Sequence, residues 1–183
     1  MSGSFIQAIR FVIEVSVFFL STVLLLRFWM QIVRAPFAHQ GGQFILQLTD
    51  WLVVPLRRII PGLFGADLAS ILLAIALHIF KVIFLFLLLT NLGLGGLVKI
   101  PPILLWVGVV SFLRTALHLL IISLVAQAIL SWIQPYSFLS SMLNLLTEPI
   151  LRPVRRVVPL IANIDLSPLV VIILIQIVLI FLT

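Results

Sequence analysis

Eight polar side chains sit inside otherwise apolar stretches of this sequence: Glu14, Arg27, His78, Lys81, Arg114, His118, Gln127 and Gln176. Charge in hydrocarbon is costly, so such residues pair with one another, reach for the surface or mark a pathway. His78 and Lys81 are three apart and Arg114 and His118 four apart, spacings that place each pair on one helical face. A bundle that brings these faces together with Glu14 and Gln176 could form a buried polar network, or a route for an ion or cofactor. Glu14, Arg27 and Arg114 lie near the ends of their apolar runs, where a long side chain can snorkel to the interface. His78, His118 and Gln176 lie deeper. Two histidines could ligate haem iron or a metal, but no surrounding pattern fixes their geometry, so no metal or cofactor is assigned.

Other chemistry lacks its residues. The chain has no cysteine, which excludes disulfides, thiolate metal sites and a cysteine nucleophile. It carries no P-loop, no dinucleotide-binding glycine fingerprint, no HExxH zinc signature and no nucleophile elbow. No catalytic residue is named, and the chain is expected not to be an enzyme.

A second feature is a repeated Arg-Pro segment. Residues 49–61, TDWLVVPLRRIIP, align without a gap with residues 147–159, TEPILRPVRRVVP, at an offset of 98. The same offset places Asp67-Leu68 on Asp165-Leu166 and His78 on Gln176. Trp29-Met30-Gln31 matches Trp132-Ile133-Gln134 at an offset of 103, so the first copy carries extra residues around Ala38 to Gly42. Such internal similarity is the mark of a duplicated unit.

The elements that position these residues follow from composition. With 63% apolar and 9% charged residues and a mean hydropathy of +1.38, the chain cannot cover a soluble surface with charge. Four apolar runs emerge: Phe11 to Val33, Leu68 to Leu92, Ser111 to Ile133, and Leu166 to Thr183. The first rises roughly 34 Å, enough for a tilted crossing, while the last is short. The first is read as a retained helix, since no small-residue cleavage site follows it. Residues 103–110 either lengthen the third helix or lie at the interface.

These runs predict an all-α membrane protein of four transmembrane helices, arranged as two tandem two-helix repeats. The first repeat covers residues 1–92, a Gly/Pro-containing connection 93–110, and the second repeat 111–183. Two crossings per unit make the copies parallel.

Each repeat carries an amphipathic segment expected to lie at the interface. Gln43, Gln47, Asp50 and Arg57 form its polar stripe in the first copy, and Ser141, Asn144, Glu148, Arg152 and Arg155 in the second. Phe44, Ile45, Leu48, Leu52 and Leu56 cover the rest of the first. Pro55 and Pro153 are expected to kink or restart these helices. Arg57-Arg58 and Arg155-Arg156 could bind lipid phosphate, pair with Asp50 and Glu148, or fix topology, although seven residues of separation is not the usual spacing for an intrahelical ion pair. Ser167 is expected to cap the fourth helix, with Pro168 in its first turn and Asp165 beside it.

The net charge of +6 points to anionic lipid headgroups rather than nucleic acid, because no soluble domain presents the basic residues. Arg34, Arg57, Arg58, Arg152, Arg155 and Arg156 fall in the two long loops, against mainly Arg10 and Lys99 on the other side. The positive-inside rule therefore places both loops in the cytoplasm and both termini outside the cell membrane.

The pieces LLLRFWMQ at 24–31, PLRRIIP at 55–61, SWIQP at 131–135, LTEPILRPVRRVVP at 146–159 and IDLSPLV at 164–170 together resemble the YggT family, whose chloroplast relatives form the YCF19 or YlmG group. By that resemblance Pro149, Arg152, Pro153, Arg155, Arg156 and Pro159 take the family's motif positions in the second copy, and Pro55, Arg57, Arg58 and Pro61 in the first. The first copy departs from the pattern, with Trp51 at the first proline and Val54 at the outer arginine. The resemblance implies a small membrane accessory protein linked to envelope biogenesis, cell division, or tolerance of osmotic or ionic stress, and in plastids to cytochrome haem assembly. An assembly factor with a membrane or cytoplasmic protein partner and an oligomeric transport component built on His78 and His118 are therefore both open.

Overall fold

The computed structural model describes residues 2–35, 37, 40–58, 67–91, 102–134, 136–158 and 165–182. These residues form six helices: α1 Ser2–Ile32, α2 Gln40–Arg57, α3 Leu68–Asn91, α4 Ile103–Ile133, α5 Phe138–Arg155 and α6 Ser167–Phe181. Three stretches within them are long and apolar enough to cross a membrane, Ser4–Ile32, Leu68–Leu88 and Ile103–Ile133, so the chain is an all-α multi-pass membrane protein. α6 has 15 residues and rises about 22 Å, short of a hydrocarbon core of about 30 Å. Residues 103–110, drawn within the 93–110 connection, lengthen α4 without a break, which is one of the two alternatives the sequence left for them.

α1 and α3 pack against each other most extensively, and α3 then packs on α4. Hydrophobic burial gives little drive between helices in lipid, so close approach depends on small residues. Ser21 on α1 and Ala69, Ser70 and Ala74 on α3 are fully buried. Where α3 meets α4, a Cβ on Gly108 would stand 2.8 Å from the Cα of Ile79. The two backbones touch at that point.

α2 and α5 pack across the ends of the longer helices. Ile45, Thr49 and Val53 are the buried stripe of α2, with Val53 against Leu24, Leu25 and Ala69. Leu151 of α5 joins Leu124, Val171 and Ile175 over α4 and α6. Leu146 reaches across to Val23, Met30 and Ile45, so one apolar cluster includes residues of α1, α2 and α5. Phe44, Trp51 and Val54 of α2 are exposed, and Trp51 instead ties its indole N–H to the Leu48 carbonyl.

The helices continue through their prolines and do not restart at them. α2 runs through Pro55 to Arg57, and α5 through Pro149 and Pro153 to Arg155. Pro55 and Pro153 fall in the last turn, where the missing donor costs least and the helix is about to stop. Pro61 and Pro159 lie outside the described residues. α1 ends differently: Arg34 adopts φ 53, and the Ala35 N–H donates to the Met30 carbonyl at 2.8 Å. This is the closing turn usually given to glycine, here made by an arginine.

Gly108→Ala is expected to lower stability in detergent by about 1–3 kcal/mol, because backbone rather than a flexible side chain must move. Gly41→Ala, which meets nothing within 4 Å, serves as the neutral control. Equal melting temperatures for the two variants would show that α3 and α4 do not touch there.

Candidate functional site

The most buried charge in the described residues is Arg27, at 1% exposure. It sits on the second-to-last turn of α1, where snorkelling was expected, but α2 folds back over it. One guanidinium nitrogen, Nη1, donates to Thr49 Oγ1 at 2.6 Å and to Asp50 Oδ1 at 2.7 Å, while Nε stands 3.5 Å from Asp67 Oδ2. Asp67 immediately precedes α3 and is equally buried. Its backbone N–H donates to Gln31 Oε1 at 2.8 Å, and its carboxylate accepts from Arg57 and, at 3.1 Å, from Ser70 Oγ. Two arginines and two aspartates thus close an ion cluster that ties α1, α2 and α3 together.

Burial pushes the Asp67 carboxyl up, but hydrogen bonds and charge from Arg57, the Ser70 hydroxyl and the charge of Arg27 outweigh it and hold the group below its ordinary value. The hydrogen bond to Asp67, working against burial, pushes the Arg57 guanidinium above its ordinary value.

The other half uses a different chemistry at the corresponding place. Gln127 of α4 donates to Asn144 Oδ1 at 2.5 Å and accepts from Thr147 Oγ1 at 2.5 Å. Thr49 and Thr147 also each bond the carbonyl four residues back, Ile45 and Leu143. Arg155 bonds Asp165 Oδ2 at 2.8 Å, the same ten-residue separation as Arg57 and Asp67. It also meets Glu148 Oε2 at 2.5 Å, so the seven-residue pair set aside from sequence does form. Seven residues are nearly two full turns, which returns both side chains to one face, and the long arginine covers the rise.

Asp165 Oδ1 accepts from the Ser167 N–H at 2.9 Å. Asp165 therefore serves the start of α6, correcting the expectation that the Ser167 hydroxyl would cap it; Ser167 is itself the first helical residue and Pro168 the second. Burial pushes Asp165 up, and the bonds from Ser167 and Arg155 more than reverse it. Arg58, Arg152 and Arg156 are exposed and make no ion pair among the described residues. Alongside them, Ser141, Asn144, Leu145, Glu148 and Arg155 line an open groove on α5 of about 630 Å³.

Of the six residues expected to form a polar network, the structure joins two, His78 and Lys81, through a shared serine. Lys81 Nζ donates to Ser111 Oγ at 2.8 Å, and Ser111 Oγ is 3.0 Å from His78 Nδ1. His78 Nε2 is 3.2 Å from Ser21 Oγ, which donates to the Phe18 carbonyl. Lysine can only donate, so the Ser111 proton is directed to Nδ1 and the Nε2 proton to Ser21. The edge of Phe112 closes the site, at a centroid distance of 6.1 Å from His78. Both ring nitrogens are engaged, which leaves neither free for iron.

Glu14 pairs with Arg10 at 2.8 Å, and Arg114 donates to the Leu182 carbonyl at the end of α6. His118 is exposed and, among the described residues, bonds its own helix at the Arg114 carbonyl. Gln176 is exposed on α6. Neither belongs to the network. Sequence reasoning missed Thr49, Gln31, Ser21, Ser111 and Thr147 and placed Asn144 only on an outward polar stripe; these are uncharged residues whose role appears only when a second helix supplies the partner. A signal pointed to two of them: Thr49 and Thr147 fall on the same position of the repeated segment.

The profile of the CCB3/YggT family matches residues 6–88 and 106–183. An uncharacterized protein from the proC 3′ region of Vibrio alginolyticus is 40% identical over 149 residues, covering 81% of this chain and 78% of its own. The uncharacterized protein YggT of Escherichia coli is 34% identical over 173 residues, covering 94% and 87%. An uncharacterized protein of Pseudomonas aeruginosa is 37% identical over 149 residues, covering 80% and 74%. No solved structure matches the chain. Among the described residues no three His, Cys, Asp or Glu side chains are grouped to hold a metal.

Arg27→Leu is expected to cost about 3–5 kcal/mol, the range for breaking a buried ion pair. The carboxyls of Asp67 and Asp165 are depressed in the folded chain, so their stabilisation is complete above the ordinary carboxylate value of 3.8 and is lost as pH falls through the lower folded values. Acid melts should therefore steepen below pH about 4. Asp67→Asn should remove more of that dependence than Asp165→Asn, since the Asp67 side chain is 1% exposed and the Asp165 side chain 30%.

Proposed function

The chain belongs to the CCB3/YggT family, and from that premise we propose that it is a non-enzymatic membrane scaffold of two tandem repeats. Its second surface helix, α5, is the part that recruits a protein partner in envelope assembly or cell division. The observation that carries this reading is the unequal treatment of the two surface helices. In α2 the acid Asp50 is drawn onto buried Arg27 and Arg57 onto buried Asp67. In α5 the acid Glu148 is held by Arg155 at the surface, and the groove beside them is open. α2 is committed to holding its helix pair together, whereas α5 has polar groups left to present.

Three features support tandem duplication. The family profile matches in two stretches, each carrying two membrane-embedded helices and one surface helix between them. The Arg57–Asp67 and Arg155–Asp165 pairs recur at one separation, and Thr49 and Thr147 each bond a polar side chain of the preceding long helix. In this reading α6 is the fourth crossing, completed by tilt or local thinning of the bilayer, which a short apolar helix can impose. The loops lie in the cytoplasm by the positive-inside rule, and Arg34, Arg58, Arg152 and Arg156 meet anionic headgroups there.

The absence of cysteine makes a direct test simple, because each introduced thiol is unique. Ser141→Cys carrying a photocrosslinker in cells should capture a discrete partner, and Arg152→Glu with Arg156→Glu should abolish that product while leaving membrane insertion intact. The same crosslinker at Phe44→Cys on α2 should give no such product. Capture that is insensitive to the arginine changes would overturn α5 as the recognition element. Arg58→Cys and Ser141→Cys should also both react with an impermeant thiol reagent only after the cytoplasmic face is opened.

A further inference from the structure

On the side away from α2 and α5 the bundle changes in a way the duplicated arrangement does not require. α6 stops at Phe181, but α1 begins at Ser2, α4 begins at Ile103 and α3 continues to Asn91. These three extend about 15–18 Å beyond Glu14, Arg114 and Lys81, at 1.5 Å per residue. Where α6 is absent there is an open depression of about 630 Å³, lined by Glu14, Lys81, Trp106, Ser111, Arg114 and Leu182 among others.

Its charge is unbalanced. Among the described residues Lys81 hydrogen-bonds the neutral Ser111 and feels the charge of Glu14 at longer range, and Arg114 bonds the neutral Leu182 carbonyl, with its Nε buried and unbonded. The one carboxylate, Glu14, is already paired with Arg10. Among the described residues the depression thus sets Lys81 and Arg114 against one carboxylate that Lys81 shares with Arg10, and at the level of the hydrocarbon this excess of positive charge calls for an anion.

The geometry points to a lipid site: the depression binds the phosphodiester of an anionic glycerophospholipid from the leaflet opposite α2 and α5. Lys81 and Arg114 hold the phosphate, and the acyl chains remain in the bilayer. A lipid fits better than a soluble anion because the rim is apolar and faces outward. Trp106 is 67% exposed and Phe181 84%, and Val107 beside them is exposed as well. Tryptophan is the side chain that sits beside headgroups, with its ring in the acyl region and its N–H toward water.

The depth is consistent with this assignment. From Glu14 to Arg27 along α1, and from Arg114 to Gln127 along α4, the rise is about 20 Å. The polar layer at the α2 and α5 side and this second layer are thus closer than the roughly 30 Å of a hydrocarbon core. A headgroup drawn to Lys81 and Arg114 thins the bilayer locally, as a short span favours. The site does not depend on whether α5 recruits a partner.

The test uses the purified full-length chain in mild detergent, with native mass spectrometry and Trp106 fluorescence. Phosphatidylglycerol should be retained in preference to phosphatidylcholine, and brominated phosphatidylglycerol should quench a component of emission that Trp106→Phe removes. Lys81→Gln and Arg114→Gln should each weaken that binding about fivefold, the effect of about 1 kcal/mol per basic residue. Arg58→Gln with Arg156→Gln, on the opposite face, should leave the Trp106 quenching unchanged. Because Arg114→Gln could loosen the end of α6, Glu14→Gln supplies a gain-of-binding variant: removing the carboxylate should tighten phosphatidylglycerol. Quenching that ignores Lys81, Arg114 and Glu14, or equal retention of phosphatidylcholine, overturns the site. Displacement of the lipid by 10 mM inorganic phosphate, roughly the concentration of a buffer, reassigns it to a soluble anion and overturns the lipid proposal.

Discussion

A single guanidinium, that of Arg27, fixes how the first half of the chain folds. Moving an arginine out of water costs several kcal/mol even after relaxation, and the cost is offset only when carboxylates and further acceptors surround it. The acceptors come from two other elements: Thr49 and Asp50 from α2, and Asp67 from the start of α3. Gln31, one turn beyond Arg27 on α1, takes the Asp67 backbone N–H and completes the join. α2 cannot lift away without stranding a buried charge. Its position across α1 and α3 is therefore set by electrostatics first and by the apolar contacts of Ile45 and Val53 second.

The second half solves the same problem without charge. Aligned on Trp29 and Trp132, the position of Arg27 becomes Leu130, and the polar link from α4 to α5 passes to Gln127, Thr147 and Asn144. A neutral link has a smaller desolvation cost, and it leaves the acid on the surface helix uncommitted. Glu148 is then available to Arg155, which also bonds Asp165. The Trp29 indole donates to the Leu146 carbonyl at 2.9 Å, so the charged half and the neutral half are fastened to each other where α5 crosses α1.

Much of this architecture was legible as sequence. Hydropathy located α1, α3 and α4 to within about one turn at their loop-side ends, and the aligned Asp67 and Asp165 marked the starts of α3 and α6. What misled was depth. Arg27 lies near the end of an apolar run, so position along α1 suggested an exposed arginine, and nothing local announced that α2 returns to cover it. The same gap hid Ser21 and Ser111, ordinary helical serines until His78 is placed between them. Conversely, His118 and Gln176 are deep along their helices yet exposed at the perimeter, because distance along an axis says nothing about which way a face points. The Arg155–Glu148 pair was set aside by a rule for short spacings, which underrates the reach of an arginine over two turns.

The polar groups within the bundle divide by task. Apolar packing joins α1, α3 and α4 on the side of α2 and α5, where Leu24, Leu25, Ala69, Ala74 and Phe112 form a buried cluster. Farther along the helices, close backbone approach and hydrogen bonds must hold them, since lipid competes equally for apolar side chains. Gly108 against Ile79 supplies the first, and the run from Lys81 through Ser111 and His78 to Ser21 supplies the second, within about one turn of the same level. His78 is thus a cross-brace between α1 and α4, spent on structure. Lys81 stands at the outer end of that brace, and Arg114 lies one turn beyond Ser111 on the same helix. The residue that anchors the brace is consequently the one that carries its charge to the edge of the bundle.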